Sequence, residues 1–221
     1  MIYKVKRFIR DNEKLMVFLA TIYRAFGGNR IRGHCGVKLQ WRGVFAKRMK
    51  IICQGKDNIG EFGEGCRMSD CTIRIFGNGN RVKIDHDCVC KNLDVWISDG
   101  ANLRVGHNTH FAGDIHLACI EGKTISIGKR CLFSNGITFR TGDSHVITDL
   151  EDNRINFGKD IVVGDHVWVG HQAVLLKGAN IGSDSIVGTR SLVTKGNYPE
   201  HVVLGGSPAK VIRTDVSWRP E

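Results

Sequence analysis

From Val163 the chain repeats in sixes. Val163, Val169, Leu175, Ile181, Val187 and Val193 open six successive hexads, and Gly164, Gly170, Gly182 and Gly188 follow four of them. The fifth position is Val167, Ala173, Ala179, Ser185 or Ser191, mostly small. Self-similarity at a fixed period means stacked units that bury a shared core only together. Six residues is too short for a helical repeat, and the β-branched first positions favour strands. An inward aliphatic, a turn glycine and a small inward residue describe one flat face of a triangular coil, so three hexads make a coil of about 18 residues. This predicts a parallel β-helix.

Upstream the cadence loosens. Val105, Phe111 and Leu117 keep a six-residue step, as do Ile127, Phe133 and Phe139. Apolar pairs recur about every ten residues: Ile73/Ile75, Val82/Ile84, Leu93/Val95, Leu103/Val105, Ile115/Leu117 and Ile125/Ile127. We expect irregular coils here, with the β-helix running over 51–213 and a tail at 214–221. Phe139 and Val163 are 24 residues apart, four hexads, yet the residues between them lack the aliphatic and glycine positions. A polar excursion is expected over 142–158.

Residues 1–50 form a basic segment, with 13 Lys or Arg against Asp11 and Glu13. The rest holds 19 basic and 20 acidic side chains, so the net charge of +10 belongs to the N-terminal segment. A helix over Tyr3–Phe26 is expected, with Phe8, Leu15, Phe18, Leu19 and Ile22 on its apolar side. Such a basic amphipathic helix lies on an anionic membrane, meets an anionic polymer, or packs on the domain with a solvated charged face. No recognition motif accompanies the charge, which argues against nucleic acid. The apolar run at 15–23 is too short to span a bilayer. Eight cysteines without a secretory signal or a C-x-x-C pair read as structural thiols of a reducing, cytoplasmic compartment.

The hexads, the "TGDSH" at 141–145 and the "GGSPAKVIR" at 205–213 together resemble the hexapeptide-repeat acyltransferases. The resemblance is closest to the bacterial surface-polysaccharide O-acetyltransferases and the galactoside/maltose acetyltransferase group. It implies a left-handed β-helix, acetyl-coenzyme A as co-substrate, and a homotrimer with active sites between neighbouring prisms. His145 stands where that family carries its catalytic histidine, and histidine suits a general base near neutral pH. Asp143 either orients the imidazole, as a third group does in a triad, or caps the "TGDS" turn. By position, Gly170 and Thr189 would line the pantetheine arm. Thr194, Lys195, Lys210 and Arg213 would sit near the nucleotide, where cations meet phosphates. Amides near the Gly170 turn could steady an oxyanion. At the galactoside branch's sugar-contacting Asn this chain has Ala112, which leaves Asp114 or His116 as candidate acceptor contacts.

Trp168 either walls the acyl pocket or packs against a neighbouring subunit. The gamma-class carbonic anhydrases share the fold and use two histidines in "VGHxxxLHG". Here His171 is present but Leu176 replaces the second, and zinc does not tolerate that loss without a substitute. His107, His110 and His116 alternate as strand faces of different coils would. No metal is expected. The reading is an acetyl-CoA-dependent O-acetyltransferase acting on a sugar hydroxyl of a capsule, O-antigen or exopolysaccharide. It works by direct transfer, in the cytoplasm or at the inner face of the membrane. The alternatives are an acetyltransferase for a small molecule, such as an antibiotic or nucleotide-sugar amine, and a non-catalytic β-helix scaffold.

Overall fold

The inward aliphatics of the repeat stack in columns because parallel strands of successive coils pair in register. In the computed structural model, which describes residues 12–33 and 35–220, one such column runs Ile51, Ile73, Val95, Leu117, Phe139, Leu175, Val193. The chain is a parallel β-helix with three faces. The first face holds Thr72–Phe76, Leu93–Ser98, Ile115–Cys119, Thr138–Arg140, Val174–Leu176 and Leu192–Val193. The second holds Arg81–Ile84, Asn102–Val105, Thr124–Ile127, Ile161–Val163, Ala179–Ile181 and Gly196–Tyr198. The third runs from Phe45–Lys47 to Val203–Gly206, and Ala209–Arg213 closes it as an antiparallel strand.

The column spacing explains why the hexads are clear only late in the chain. Partners lie 22 residues apart from Ile51 to Phe139, then 36 from Phe139 to Leu175, then 18 from Leu175 to Val193. The early coils are wider, with first-face strands of five or six residues. The excursion occupies one 36-residue turn. Phe139 therefore pairs with Leu175, and Val163 pairs with Ile127 on another face, so the 24-residue spacing joins no column.

Corners impose a backbone requirement. Arg48, Asp70, Asn92, Asp114, Gly136, Gln172 and Arg190 follow one another up a single corner, all with positive φ. Asn, Asp and Gly tolerate that conformation best. The second-position glycines serve a different purpose. A Cβ on Gly170 would come within 2.7 Å of the Thr189 amide nitrogen of the next coil. Glycine is there to let coils approach.

Three expectations at the start of the chain are revised. The helix is Glu13–Phe26, because Asn12 is extended (φ −115°, ψ 93°) and its side chain accepts from the Leu15 amide 3.1 Å away as an N-cap. The stretch of the expected helix from Tyr3 to Asp11, with Phe8, lies outside the described residues. Its buried face is Met16 and Ala20, whereas Phe18, Ile22 and Phe26 are exposed. The coils also begin before residue 51: Arg30–Arg32 and Cys35–Gln40 already pair in parallel with Lys50–Phe62.

Three phenylalanines fill the core where the coils change width. Phe111 and Phe133 stack with centroids 4.9 Å apart, and Phe133 meets Phe139 at 5.8 Å. Cys66, Cys71, Cys88, Cys90, Cys119 and Cys131 are buried inward residues without disulfides. Burial pushes the Cys71 thiol up to about 11 and the Cys119 and Cys131 thiols to about 12. Such thiols are poor nucleophiles at neutral pH.

Candidate active site

The excursion leaves the first face after Arg140 and rejoins the second at Ile161. Its base is fastened to the coil below. The buried Thr141 hydroxyl accepts from the Ile120 amide at 2.8 Å. Glu121 accepts from Arg154 at 2.6 Å and from the Gly158 amide at 3.1 Å. Beyond that base the loop folds back on itself as a short hairpin. Thr148 bridges Arg154, the Ile155 amide donates to the Ile147 carbonyl, and Asp149 caps the turn by accepting from the Glu151 and Asn153 amides.

His145 stands on the ascending arm of this hairpin, exposed. What holds it is Asn156, 7% exposed in an otherwise open loop. The Asn156 amide donates to the His145 carbonyl at 2.7 Å and to the Asp143 carboxylate at 2.9 Å, and its oxygen accepts from the Ile147 amide at 2.8 Å. Asp143 is also paired with Lys177, whose ammonium donates to the Asn156 carbonyl at 3.1 Å. The Lys177 ammonium, and then the Asn156 amide, hold the Asp143 carboxyl below its ordinary value. Asp143 does not touch the imidazole. Its carboxylate is held instead by Asn156 and Lys177, on the loop and at the coil corner beside it. Asn156 and Lys177 were missed from sequence, since neither type at those positions signals a clamp.

The other candidate residues fall on two edges of the prism. The edge between first and second faces carries the His145 loop, Lys177, Thr194 and Lys195. Lys159 joins them: its side chain and that of Lys195 both crowd the Gly178 corner. The Lys195 ammonium holds the Lys159 pKa below its ordinary value. Among the described residues neither of these two lysines has a carboxylate partner, so the corner presents unneutralised positive charge. The edge between third and first faces carries Gly170, Thr189 and Asp114. Lys210 and Arg213 lie beside the third face, opposite Gly205 and Val203. One chain does not bring the two groups together, because the first face separates them.

Several contacts differ from expectation. The Gly170 amide donates to the Val187 carbonyl at 2.7 Å, so that amide is spent between coils and is not offered to an oxyanion. Asp114 accepts from Asn92 at its corner, and His116 meets Asp94 at 3.0 Å on the first face, away from the His145 edge. Trp168, 38% exposed, has Trp218 of the chain's own tail 6.2 Å away, and Trp218 stacks on His166 at 4.3 Å and donates to the His166 carbonyl. His107, His110 and His116 belong to one 22-residue coil, at a corner and on two faces. Among the described residues no group of three or more His, Cys, Asp or Glu could hold a metal ion.

No family model matches the chain. A polysialic acid O-acetyltransferase of Neisseria meningitidis is 33% identical over 175 residues, 78% of this chain and 80% of that protein. The chain belongs to the hexapeptide-repeat acyltransferase family, and it is an enzyme of that class. The galactoside O-acetyltransferase of Escherichia coli K12 is 33% identical over 119 residues, of which this chain spans little more than half that protein's length (57%). Among solved structures, the polysialic acid O-acetyltransferase OatWY superimposes with a TM-score of 0.82 at 28% identity, covering 87% of this chain and 92% of that one. The polysialic acid-specific acetyltransferase NeuO gives 0.77 at 27% identity, over 88% and 86%.

Proposed function

We propose that the protein transfers an acetyl group from acetyl-coenzyme A to a hydroxyl of an anionic capsule polysaccharide of the polysialic acid kind. The observation that carries this is His145 held on a clamped loop at the edge that also carries Lys159 and Lys195, in a chain whose long-range likeness is to polysialic acid O-acetyltransferases. His145 takes the proton of the sugar hydroxyl as that oxygen attacks the thioester carbonyl. The carbon–sulfur bond then breaks, and the proton passes from His145 to the departing thiolate. The buried cysteines favour this direct route over an acyl-enzyme. Asp143 and Asn156 act as positioning residues through the loop. Lys159, Lys195, Lys210 and Arg213 supply cations for the phosphates of the co-substrate, and Gly170 and Thr189 shape the groove for its arm.

The two-edge distribution supports a homotrimer. A site using both groups needs the third-to-first edge of one chain beside the first-to-second edge of another. The exposed Val146, Ile147, Leu150, Ile155 and Phe157 of the hairpin give such a neighbour an apolar surface to cover. The exposed row Phe18, Ile22, Phe26 of the helix is the surface we assign to contact with an anionic membrane on its cytoplasmic side. No helix among the described residues is long and apolar enough to cross one.

The test is a transfer assay with labelled acetyl-coenzyme A over anionic and neutral polysaccharides, run with the wild type and His145→Ala. Transfer is expected to polysialic acid or a related acidic glycan and not to neutral glucans, and His145→Ala lowers kcat by about 10²-fold or more. Preference for a neutral or small-molecule acceptor would refute the substrate reading, and near wild-type turnover in His145→Ala would refute the mechanism.

A further inference from the structure

The corner beneath the His145 loop departs from ordinary turn chemistry. Ile120, Glu121, Gly122 and Lys123 form a tight turn closed by the Lys123 amide on the Ile120 carbonyl at 3.3 Å. Glu121 has φ 61° and Gly122 has φ 64°. One coil lower the same corner is made by Asp99 and Gly100, with φ 62° and 75°. Two successive left-handed residues favour Asp-Gly or Asn-Gly, because a short polar side chain tolerates the first position and a longer one does not. Glu121 accepts that strain, and what it has over Asp99 is one more methylene of reach.

The reach is used. Glu121 Oε2 accepts from the Arg154 guanidinium at 2.6 Å and from the Gly158 amide at 3.1 Å. Both roots of the excursion are glycines that leave room for this carboxylate. A Cβ on Gly142 would lie 2.7 Å from Glu121 Oε1, and one on Gly158 would lie 3.2 Å from Oε2. Arg154 carries the contact up the hairpin. Its guanidinium lies over the Phe157 ring at 4.9 Å, and its Nε reaches the Asn156 side-chain oxygen at 3.4 Å. Asn156 in turn donates to the His145 carbonyl and the Asp143 carboxylate. The loop is thus tied to the coil below through Glu121 and to the coil above through Lys177, and Asn156 joins the two ties. All these contacts lie within one chain, so they stand whether or not a neighbour covers the edge.

We infer that Glu121 and Arg154 are positioning residues that set the place of His145 through Asn156, without touching substrate. The inference rests on the reading of His145 as the base. Lys159, assigned above to the co-substrate, keeps a tie of its own, its amide donating to the Thr141 carbonyl at 2.9 Å. The pair therefore acts on turnover and not on binding of the acetyl donor.

The test is a double-mutant cycle in the transfer assay, with Glu121→Gln and Arg154→Lys each made in wild type and in His145→Ala. Glu121→Gln keeps an acceptor for the Gly158 amide and removes the charge, whereas Arg154→Lys keeps the charge and removes the planar fork. In wild type each lowers kcat about tenfold or more and leaves KM for acetyl-coenzyme A within about twofold. In His145→Ala the same changes leave the residual rate within about twofold, since residues that act through the imidazole then have nothing to place. Equal losses in both backgrounds, or a raised KM with kcat kept, overturn the inference. Hydrogen exchange reads the loop without turnover. The Ile147 amide, bonded to Asn156, loses protection about tenfold or more in Glu121→Gln while core amides keep theirs. Unchanged Ile147 protection overturns the inference even if rates fall. Near wild-type turnover in His145→Ala, together with Ile147 deprotected in Glu121→Gln, sinks the base reading alone and supports the tie of Glu121 to the loop.

Discussion

At Asn156 one buried amide gathers Asp143, His145 and Ile147 into a single arrangement. His145 was legible from sequence because "TGDSH" sits between regular hexads. Its supports were not, because an asparagine in "NRIN" has no spacing signature and Lys177 lies 34 residues from Asp143. The Asp143–Lys177 pair gives the loop a pH dependence of definite sign. Its folded-state pKa is depressed, so its contribution is complete above the ordinary carboxylate value of about 3.9 and is lost as pH falls through the lower folded value. The Ile147 amide, bonded to Asn156, should therefore keep its hydrogen-exchange protection relative to core amides from neutral pH down to about 4 and lose it below that. Loss between pH 5 and 7 would show that another group sets the loop.

At the level of elements, hexads become visible where a coil is three equal sides. From Val163 to Val193 each face takes six residues, and first positions, glycines and small fifth positions recur in step. In the 22-residue coils the first-face strands lengthen to five or six residues, so apolar pairs recur near ten and the phase drifts. The core must still fill the change of width, and Phe111, Phe133 and Phe139 do so beneath the loop. Phe133, fully buried between the other two, is the element's keystone. Phe133→Ala should cost roughly 3–5 kcal/mol in urea unfolding at fixed protein concentration, with Phe133→Leu costing much less. A loss below about 1 kcal/mol would mean the coils close over the gap and that these rings do not set the loop's foundation.

For the molecule as a whole, sequence marked the residues of the candidate site but not their distribution. His145, Thr194 and Lys195 lie on one edge and Gly170, Thr189 and Asp114 on another, a strand's length of roughly 10 Å apart. Spacing in sixes does not show which corner a residue occupies once a 36-residue turn intervenes, so the separation emerged from strand register alone. The proposed function therefore assigns catalysis to the assembly: one chain would offer the base and its neighbour the groove for the acetyl donor. Mixed-oligomer complementation tests this most directly. His145→Ala removes the base, and Thr189→Arg, at an exposed position, obstructs the opposite edge without burying a charge. Each homo-oligomer should be inactive. Unfolding and reassembling an equal mixture should restore about a quarter of wild-type activity, the fraction of interfaces that pair an intact His145 with a neighbour's intact Thr189. Activity that stays at the level of the separate variants after mixing would contradict the shared site.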